Sequence, residues 1–273
     1  MKALIVGSKG QLGRALVASA PVGMEILAYA SDMLDITDEA AVNAAVQVAQ
    51  PDFVFNAAAY TAVDKAESDE ARALAVNATA VGVLANAARS VGAKFVHVST
   101  DFVFDGLSGV PYLPGSATNP VGAYGRTKLA GEQLAGVDAL TVRTAWVYAP
   151  QGNNFVRTML RLMAERPEVK VVADQIGTPT YAPGLAAALW KLTAQGVQGI
   201  HHYTDAGAAS WYDFAVAIQE EALAIGLLAR AVPVIPIGTA DFPTPARRPH
   251  YSVLDKSSTF AALGGPAPIG GQT

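Results

Sequence analysis

Over the first half of the chain, short apolar runs alternate with longer stretches in which apolar positions recur every three or four residues. The runs at 2–7, 25–29, 53–56, 94–99 and 140–143 predict buried strands. Between them the spacing predicts helices that begin near Gln11, near Thr37, at Ser68 or Asp69, and between Pro120 and Ala123; Thr37-Asp38-Glu39 opens the second with capping chemistry. Regular strand–helix alternation predicts an α/β fold of the Rossmann type, a doubly wound parallel sheet. After Trp146-Val147-Tyr148-Ala149-Pro150 the alternation fades, and helices at 154–165, 183–195 and 210–224 are separated by loops rich in Pro, Gly and Thr. The expected organisation is a dinucleotide-binding domain over 1–149 and a smaller, mainly substrate-binding C-terminal lobe over 150–273, with room for the chain to cross back. The tail from Ala261 reads as irregular.

Composition narrows the function classes. Half of the 273 residues are hydrophobic and 15% are charged, as in a compact globule and unlike a disordered chain. A net charge of −4 provides no basic footprint for a nucleic-acid backbone, so no nucleic-acid partner is expected. The absence of cysteine rules out disulfides, a thiolate zinc site and a cysteine nucleophile, and it fits a cytoplasmic protein. Met1-Lys2 runs directly into Ala3-Leu4-Ile5-Val6-Gly7, too short a run for a signal peptide. No 18 apolar residues follow one another, so no membrane association is expected.

Gly7-Ser8-Lys9-Gly10-Gln11-Leu12-Gly13 follows the first strand and opens the first helix. Glycines at this GxxGxxG spacing allow a tight turn, and they let backbone N–H groups and the helix N-terminus approach a pyrophosphate. Gly7, Gly10, Gln11, Leu12 and Gly13 are therefore candidate cofactor contacts. The position that would carry an acid for a ribose 2′-hydroxyl, or an arginine for a 2′-phosphate, holds Ala30. With no acid to repel a 2′-phosphate, and with Ser31 and Lys9 able to donate to one, NADPH is slightly favoured over NADH. Asp35 and Ile36 suit the adenine side of the pocket, although Asp35 reads equally well as a turn or helix-capping acid. Asn56-Ala57-Ala58-Ala59 closes its strand with small residues against which a dinucleotide can lie.

The strand Val96-His97-Val98-Ser99-Thr100-Asp101 ends in hydroxyls, and Tyr124-Gly125-Arg126-Thr127-Lys128 begins a predicted helix. On that helix Tyr124 and Lys128, four apart, share one face. Hydride reduction of a carbonyl leaves a developing alkoxide, which needs a proton donor and electrostatic support. Tyr124 is the candidate donor, Lys128 an ammonium expected to lower the phenol's pKa, and Thr100 a hydroxyl able to hold the carbonyl. His97, inside an apolar strand, reads as a satisfied core histidine, and His201 and His202 as strand residues.

Motifs along almost the whole chain carry a closer resemblance: Gly7 to Gly13, Asn56 to Glu67, Ser99 to Gly106, Tyr124 to Glu132, Arg143 to Tyr148, Asn153-Asn154-Phe155, Asp174 to Thr180, and Arg247-Arg248-Pro249. In these the chain resembles the dTDP-4-dehydrorhamnose reductases among the extended short-chain dehydrogenases. The resemblance implies reduction of the 4-keto group of dTDP-4-dehydro-L-rhamnose to dTDP-L-rhamnose, the last step in making an activated sugar for surface polysaccharide. It implies that Tyr124 donates the proton, that Thr100 orients the carbonyl, and that Lys128 holds the nicotinamide ribose. Ala59, Tyr60 and Thr61 would line the cofactor, and Thr100, Asp101 and Trp146 the sugar. Asn154 would bind the diphosphate or cap a helix, and Arg248 would meet phosphate oxygens or stand as a solvated turn arginine. Trp146 as plain core filling stays open.

Three departures from the family pattern stand out. Some relatives hold a magnesium ion between subunits with an acid where this chain has Ala15, so no metal is expected, and the chain reads as a monomer or homodimer. Phe102 replaces the tyrosine usual after Ser-Thr-Asp. The final helix that relatives carry after Val253-Leu254-Asp255-Lys256 is expected to be missing. The rival readings are a sugar-nucleotide epimerase or dehydratase, disfavoured because Phe102 rather than glutamate follows Asp101, and a non-catalytic regulatory subunit of the same fold.

Overall fold

The computed structural model describes residues 1–265. The central sheet contains β1 (Lys2–Val6), β2 (Glu25–Tyr29), β3 (Phe53–Asn56), β4 (Lys94–Thr100), β5 (Leu140–Thr144) and, from the second half of the chain, β10 (Gly199–His202). All six pair in parallel in the order β10-β5-β4-β3-β1-β2. The chain leaves β1 towards β2 and returns on the other side to β3, so the strand order reverses beside β1. Doubly wound sheets bind ligands in the crevice at such a reversal, outside the carboxyl ends of the strands.

Alternation along each strand decides which helices cover which face. Ala3, Ile5, Phe53 and Phe55 pack on one side with α1 (Gln11–Ala18) and α8 (Ala182–Ala194), whereas Leu4, Val6 and Val54 pack on the other with α2 (Glu39–Ala49) and α5 (Ala80–Ser90). Asp38 caps α2 by accepting a hydrogen bond from Ala41 N at 3.0 Å. Trp190 of α8 packs on Phe55 with ring centroids 4.4 Å apart and the planes tilted by 56°, and its indole N–H donates to Leu16 O at 3.1 Å. A helix and a strand made after residue 150 thus complete the first half's sheet.

Between β3 and α5 the chain forms two short helices, α3 (Val63–Ala66) and α4 (Glu70–Leu74), and a π-helical turn, Ala75–Thr79. The continuous helical run Glu70–Ser90 is long and apolar enough to cross a membrane by length and composition. Half of it is buried, because its apolar side covers the sheet. A 3-10 turn, Asp101–Val103, follows β4, and α6 (Ala123–Ala135) precedes β5.

A separate core belongs to the C-terminal lobe. There α7 (Phe155–Glu165) and α9 (Trp211–Ala224) pack against β7 (Val169–Val172), paired in parallel with β12 (Val234–Ile237), around Met163, Val169, Ala215 and Val232. Two further short pairings, β6 (Val147–Tyr148) with β9 (Thr180–Tyr181) and β8 (Ile176–Gly177) with β11 (Ala209–Ser210), frame its entrance.

Two expectations are corrected at the C-terminus. Ser257–Leu263 forms a helix, α10, where the final helix was expected to be missing and where Ala261 was expected to begin an irregular tail. Its physical basis is packing: Phe260, Ala262 and Leu263 lie against the core that α1 and α8 share, and Lys191 of α8 donates to Leu263 O at 2.6 Å. The remainder of that expected tail, 266–273, lies outside the described residues.

Candidate active site

At the carboxyl end of β4, Thr100 caps the 3-10 turn by accepting from Phe102 N at 3.2 Å, and its hydroxyl donates to Asp101 Oδ1 at 3.0 Å. Tyr124 and Lys128 reach the same place from α6. The partly buried phenol lies against the edge of Phe102, ring centroids 5.5 Å apart at 78°. Burial pushes its pKa up to about 12, only partly offset by the Thr100 hydroxyl. Lys128 is fully buried, donates to Val98 O at 2.7 Å, and is lowered to about 8 by burial. The expectation that Lys128 lowers the phenol's pKa is corrected accordingly: desolvation dominates both groups, and the amine is directed at the β4 backbone.

One short segment holds the helix that carries Tyr124 and Lys128. The N-cap of α6 is Gly122, which has no side chain to cap with. Glu67 supplies the missing acceptor, taking the Ala123 N–H on Oε1 at 2.8 Å; a Cβ on Gly122 would lie 2.7 Å from that oxygen. Three residues on, Glu70 takes a bidentate pair from Arg126 at 3.0 and 2.9 Å. Three residues before Glu67, Asp64 accepts from Arg248 at 3.1 and 2.9 Å and from Ala246 N at 3.2 Å. A seven-residue stretch therefore fixes both the helix of Tyr124 and the arginine of the opposite wall. Glu67→Ala is expected to cost about 1 kcal/mol of stability, the usual value of a helix cap, and to lower kcat more than it raises KM. Denaturant titration and steady-state rates check both parts.

The π-helical turn adds Asn77, whose side chain accepts from Tyr60 N at 2.8 Å and donates to Tyr60 O and Thr127 Oγ1 at 3.1 and 3.2 Å. It ties the strand-end loop at Tyr60 to α6. Gly131 of α6 allows that approach, since a Cβ there would lie 2.0 Å from Asn77 O.

Opposite Thr100, the indole of Trp146 stacks on Trp211 with centroids 3.6 Å apart at 12°. Trp146 has φ +48, a conformation uncommon for a bulky residue, and Gly177 leaves space for the ring: a Cβ there would be 2.7 Å from it. Trp211 is held at the start of α9 by a Ser210–Asp213 capping box. The two indoles, with Asp101, Phe102 and Arg248, line a chamber of about 90 Å³. A cavity of about 780 Å³ shares Trp211, Gln175 and Arg248 with it and continues along Phe155, Met159 and Phe242. Asp101 Oδ2 is buried without a hydrogen-bond partner at the chamber, and burial raises the carboxyl to about 6.

The loop after β1 fits a dinucleotide. Gly7 has φ +76, and a Cβ on it would lie 2.6 Å from Ala58 N; one on Gly13 would lie 2.2 Å from Gly7 O. The N-terminus of α1 begins at Gly10 with no side-chain cap, leaving backbone donors for a pyrophosphate. Leu12 and Ile36 are buried core residues, and Asp35 forms a turn by accepting from Thr37 N and Oγ1 at 2.9 and 2.7 Å. Lys9 pairs with Asp32 at 2.6 Å, both exposed. Ala59, Tyr60 and Thr61 follow β3 at the rim of the crevice, where the Tyr60 hydroxyl donates to Asp69 at 3.2 Å.

Asn154 caps α7 by accepting from Arg157 N at 3.1 Å, and it donates to Gln11 Oε1 and Ala149 O, both at 2.8 Å. Its side chain is thus occupied as a cap and as a link to the glycine loop. Arg248 is no free turn arginine, given its bidentate partner Asp64. Trp211, Gly177 and Asn77 were not legible as site residues, since each acquires its place only through a contact with a distant segment. Among the described residues no group of three His, Asp or Glu is placed to hold a metal ion.

The family model described as the RmlD substrate binding domain matches residues 1–268. A dTDP-4-dehydrorhamnose reductase of Burkholderia thailandensis is 46% identical, over 97% of this chain and 93% of its own length. Among solved structures, a dTDP-4-dehydrorhamnose reductase from Clostridium acetobutylicum superposes with a TM-score of 0.92 at 42% identity, covering 98% of this chain and 95% of the other. A Bacillus anthracis dTDP-4-dehydrorhamnose reductase in complex with NADP does so at 0.92 and 37%, covering 98% and 94%.

Proposed function

The chain belongs to the RmlD substrate-binding-domain family, and from that premise we propose that it reduces the 4-keto group of dTDP-4-dehydro-L-rhamnose to dTDP-L-rhamnose, for activated-rhamnose and polysaccharide synthesis. The observation that carries the reading is the meeting of Thr100, Tyr124 and Lys128 at the carboxyl end of β4, beside a glycine loop shaped for a dinucleotide. Bound NAD(P)H supplies the hydride.

The chain's own groups then manage the proton. Tyr124, held protonated by burial, donates to the developing alkoxide. Thr100 spends its single proton on Asp101 while that carboxyl is ionised, and it accepts from Phe102 N. A protonated Asp101 reverses that bond and frees the hydroxyl to hold the carbonyl oxygen. Lys128 in its ammonium form would hold the nicotinamide ribose. The Trp146–Trp211 stack forms the apolar wall for the sugar ring, and Arg248, presented by Asp64, faces the diphosphate. Gly7, Gly10, Gln11, Leu12 and Gly13 carry the pyrophosphate, and Ala59, Tyr60 and Thr61 the rest of the cofactor. The exposed Lys9–Asp32 pair is screened by water, so Lys9 turns to a 2′-phosphate at little cost, which supports NADPH.

The test is loss of nicotinamide absorbance when the enzyme meets dTDP-4-dehydro-L-rhamnose generated in place, first with NADPH and then with NADH. Rapid oxidation with formation of dTDP-L-rhamnose is expected, with higher kcat/KM for NADPH. Equal or better efficiency with NADH overturns the cofactor preference, and no oxidation with either overturns the substrate.

A further inference from the structure

His97 is fully buried in β4, and the sequence offers no use for it beyond filling the core. Its two ring nitrogens nevertheless lie against groups of definite polarity. Asn56, at the end of β3, accepts from Ala58 N on Oδ1 at 3.1 Å, which fixes the orientation of its amide. Its Nδ2 then lies 3.2 Å from His97 Nδ1. An amide nitrogen only donates, so Nδ1 must accept and the neutral ring must carry its proton on Nε2. That Nε2 lies 3.5 Å from Lys128 Nζ, which already donates to Val98 O at 2.7 Å.

We propose that His97, locked by Asn56 as the Nε2–H tautomer, is a positioning residue for Lys128, denying the amine a second acceptor on the β4 side beyond Val98 O and directing its remaining protons into the cleft. A neutral amine can accept from Nε2–H. An ammonium cannot, so its protons not held by Val98 O turn away from the His97 N–H, towards Tyr124 and the cofactor ribose. The same opposition makes protonation of Lys128 harder, in line with its lowered pKa, to which burial is the larger contributor. No nearby charge cancels the effect. Glu132, one turn along α6, favours the ammonium but is held by Arg143 of β5 at 2.7 Å. Asp101 on the 3-10 turn bonds to Thr100, Glu70 of α4 is paired with Arg126, and Asp64 of α3 with Arg248. The role assigned to Lys128 rests on the proposed reduction.

Two measurements test it. Long-range ¹H–¹⁵N correlation spectra of the wild-type enzyme, with the ring assigned by triple resonance, are expected to show His97 protonated on Nε2 alone from pH 5.5 to 9. A proton on Nδ1, or titration to imidazolium in that range, overturns the proposal. In His97→Gln the amide can turn its oxygen to Lys128, so the alkaline edge of kcat/KM is expected to move up by about one pH unit, with thermal stability reported alongside. An edge that stays in place in a folded variant overturns it. The spectra require no turnover, so failure of the chain to reduce the keto-sugar would refute the proposed function without altering the tautomer result.

Discussion

Replacing Tyr124 with Phe is expected to lower kcat by about 10²- to 10⁴-fold, the usual worth of a positioned general acid, while NADPH binding followed by fluorescence changes little. The phenol is the group that burial keeps protonated, raised to about 12, so it holds its proton throughout the neutral range and releases it only to a stronger base such as the product alkoxide. Phenylalanine preserves the edge contact with Phe102 and removes only the hydroxyl. The loss therefore falls on chemistry rather than on folding, and an unchanged melting temperature with a collapsed kcat is the expected pairing. Turnover within a factor of a few of the parent would assign the proton to another donor.

Asp101→Asn is expected to raise stability at neutral pH and to flatten the pH dependence that Asp101 gives kcat. Asp101 is 2% exposed, and burial raises its pKa from 3.8 to about 6. A raised carboxyl favours the folded state only while it is protonated. That contribution is complete below pH 3.8 and is lost as pH rises through about 6, so at pH 7 the ionised group weighs against folding. With 1.36 kcal/mol per pH unit, the penalty that asparagine relieves is at most about 3 kcal/mol. The gap in melting temperature between variant and parent should widen between pH 4 and 7.5, while kcat should no longer fall as pH rises through about 6, because the amide N–H can donate to Thr100 at every pH as the protonated carboxyl does in the parent. A gap that does not change with pH would place the charge elsewhere.

The sheet was legible because its strands are short, buried on both faces and punctuated. The runs at 25–29 and 53–56 coincide with β2 and β3 because turn residues stop them on the N-terminal side. The Tyr124–Lys128 pair was legible because helical spacing alone puts both on one face. Residues whose roles depend on distant partners were not. Trp211 shows nothing in its neighbourhood except a helix start, and its place comes from the stack on Trp146, 65 positions earlier in number. The helix at Ser257–Leu263 was missed because its small residues and the glycines after it read as a tail, whereas burial against α1 and α8 decides it. The effect of Lys128 on Tyr124 was misjudged because proximity of charge is visible in spacing and desolvation is not.

The return of β10 to the main sheet sets an order for biogenesis. Until residue 202 has left the ribosome, β5 stays an open edge with a row of unpaired backbone groups, and the α1 face lacks the cover of α8. The nascent first half is therefore a template exposed to other chains, and the C-terminal lobe is split around the closing strand: α7 and β7 precede β10, whereas α9 and β12 follow it. Production at a temperature that slows aggregation should raise the yield of native enzyme more than it would for a fold whose sheet closes before any of the second lobe is made.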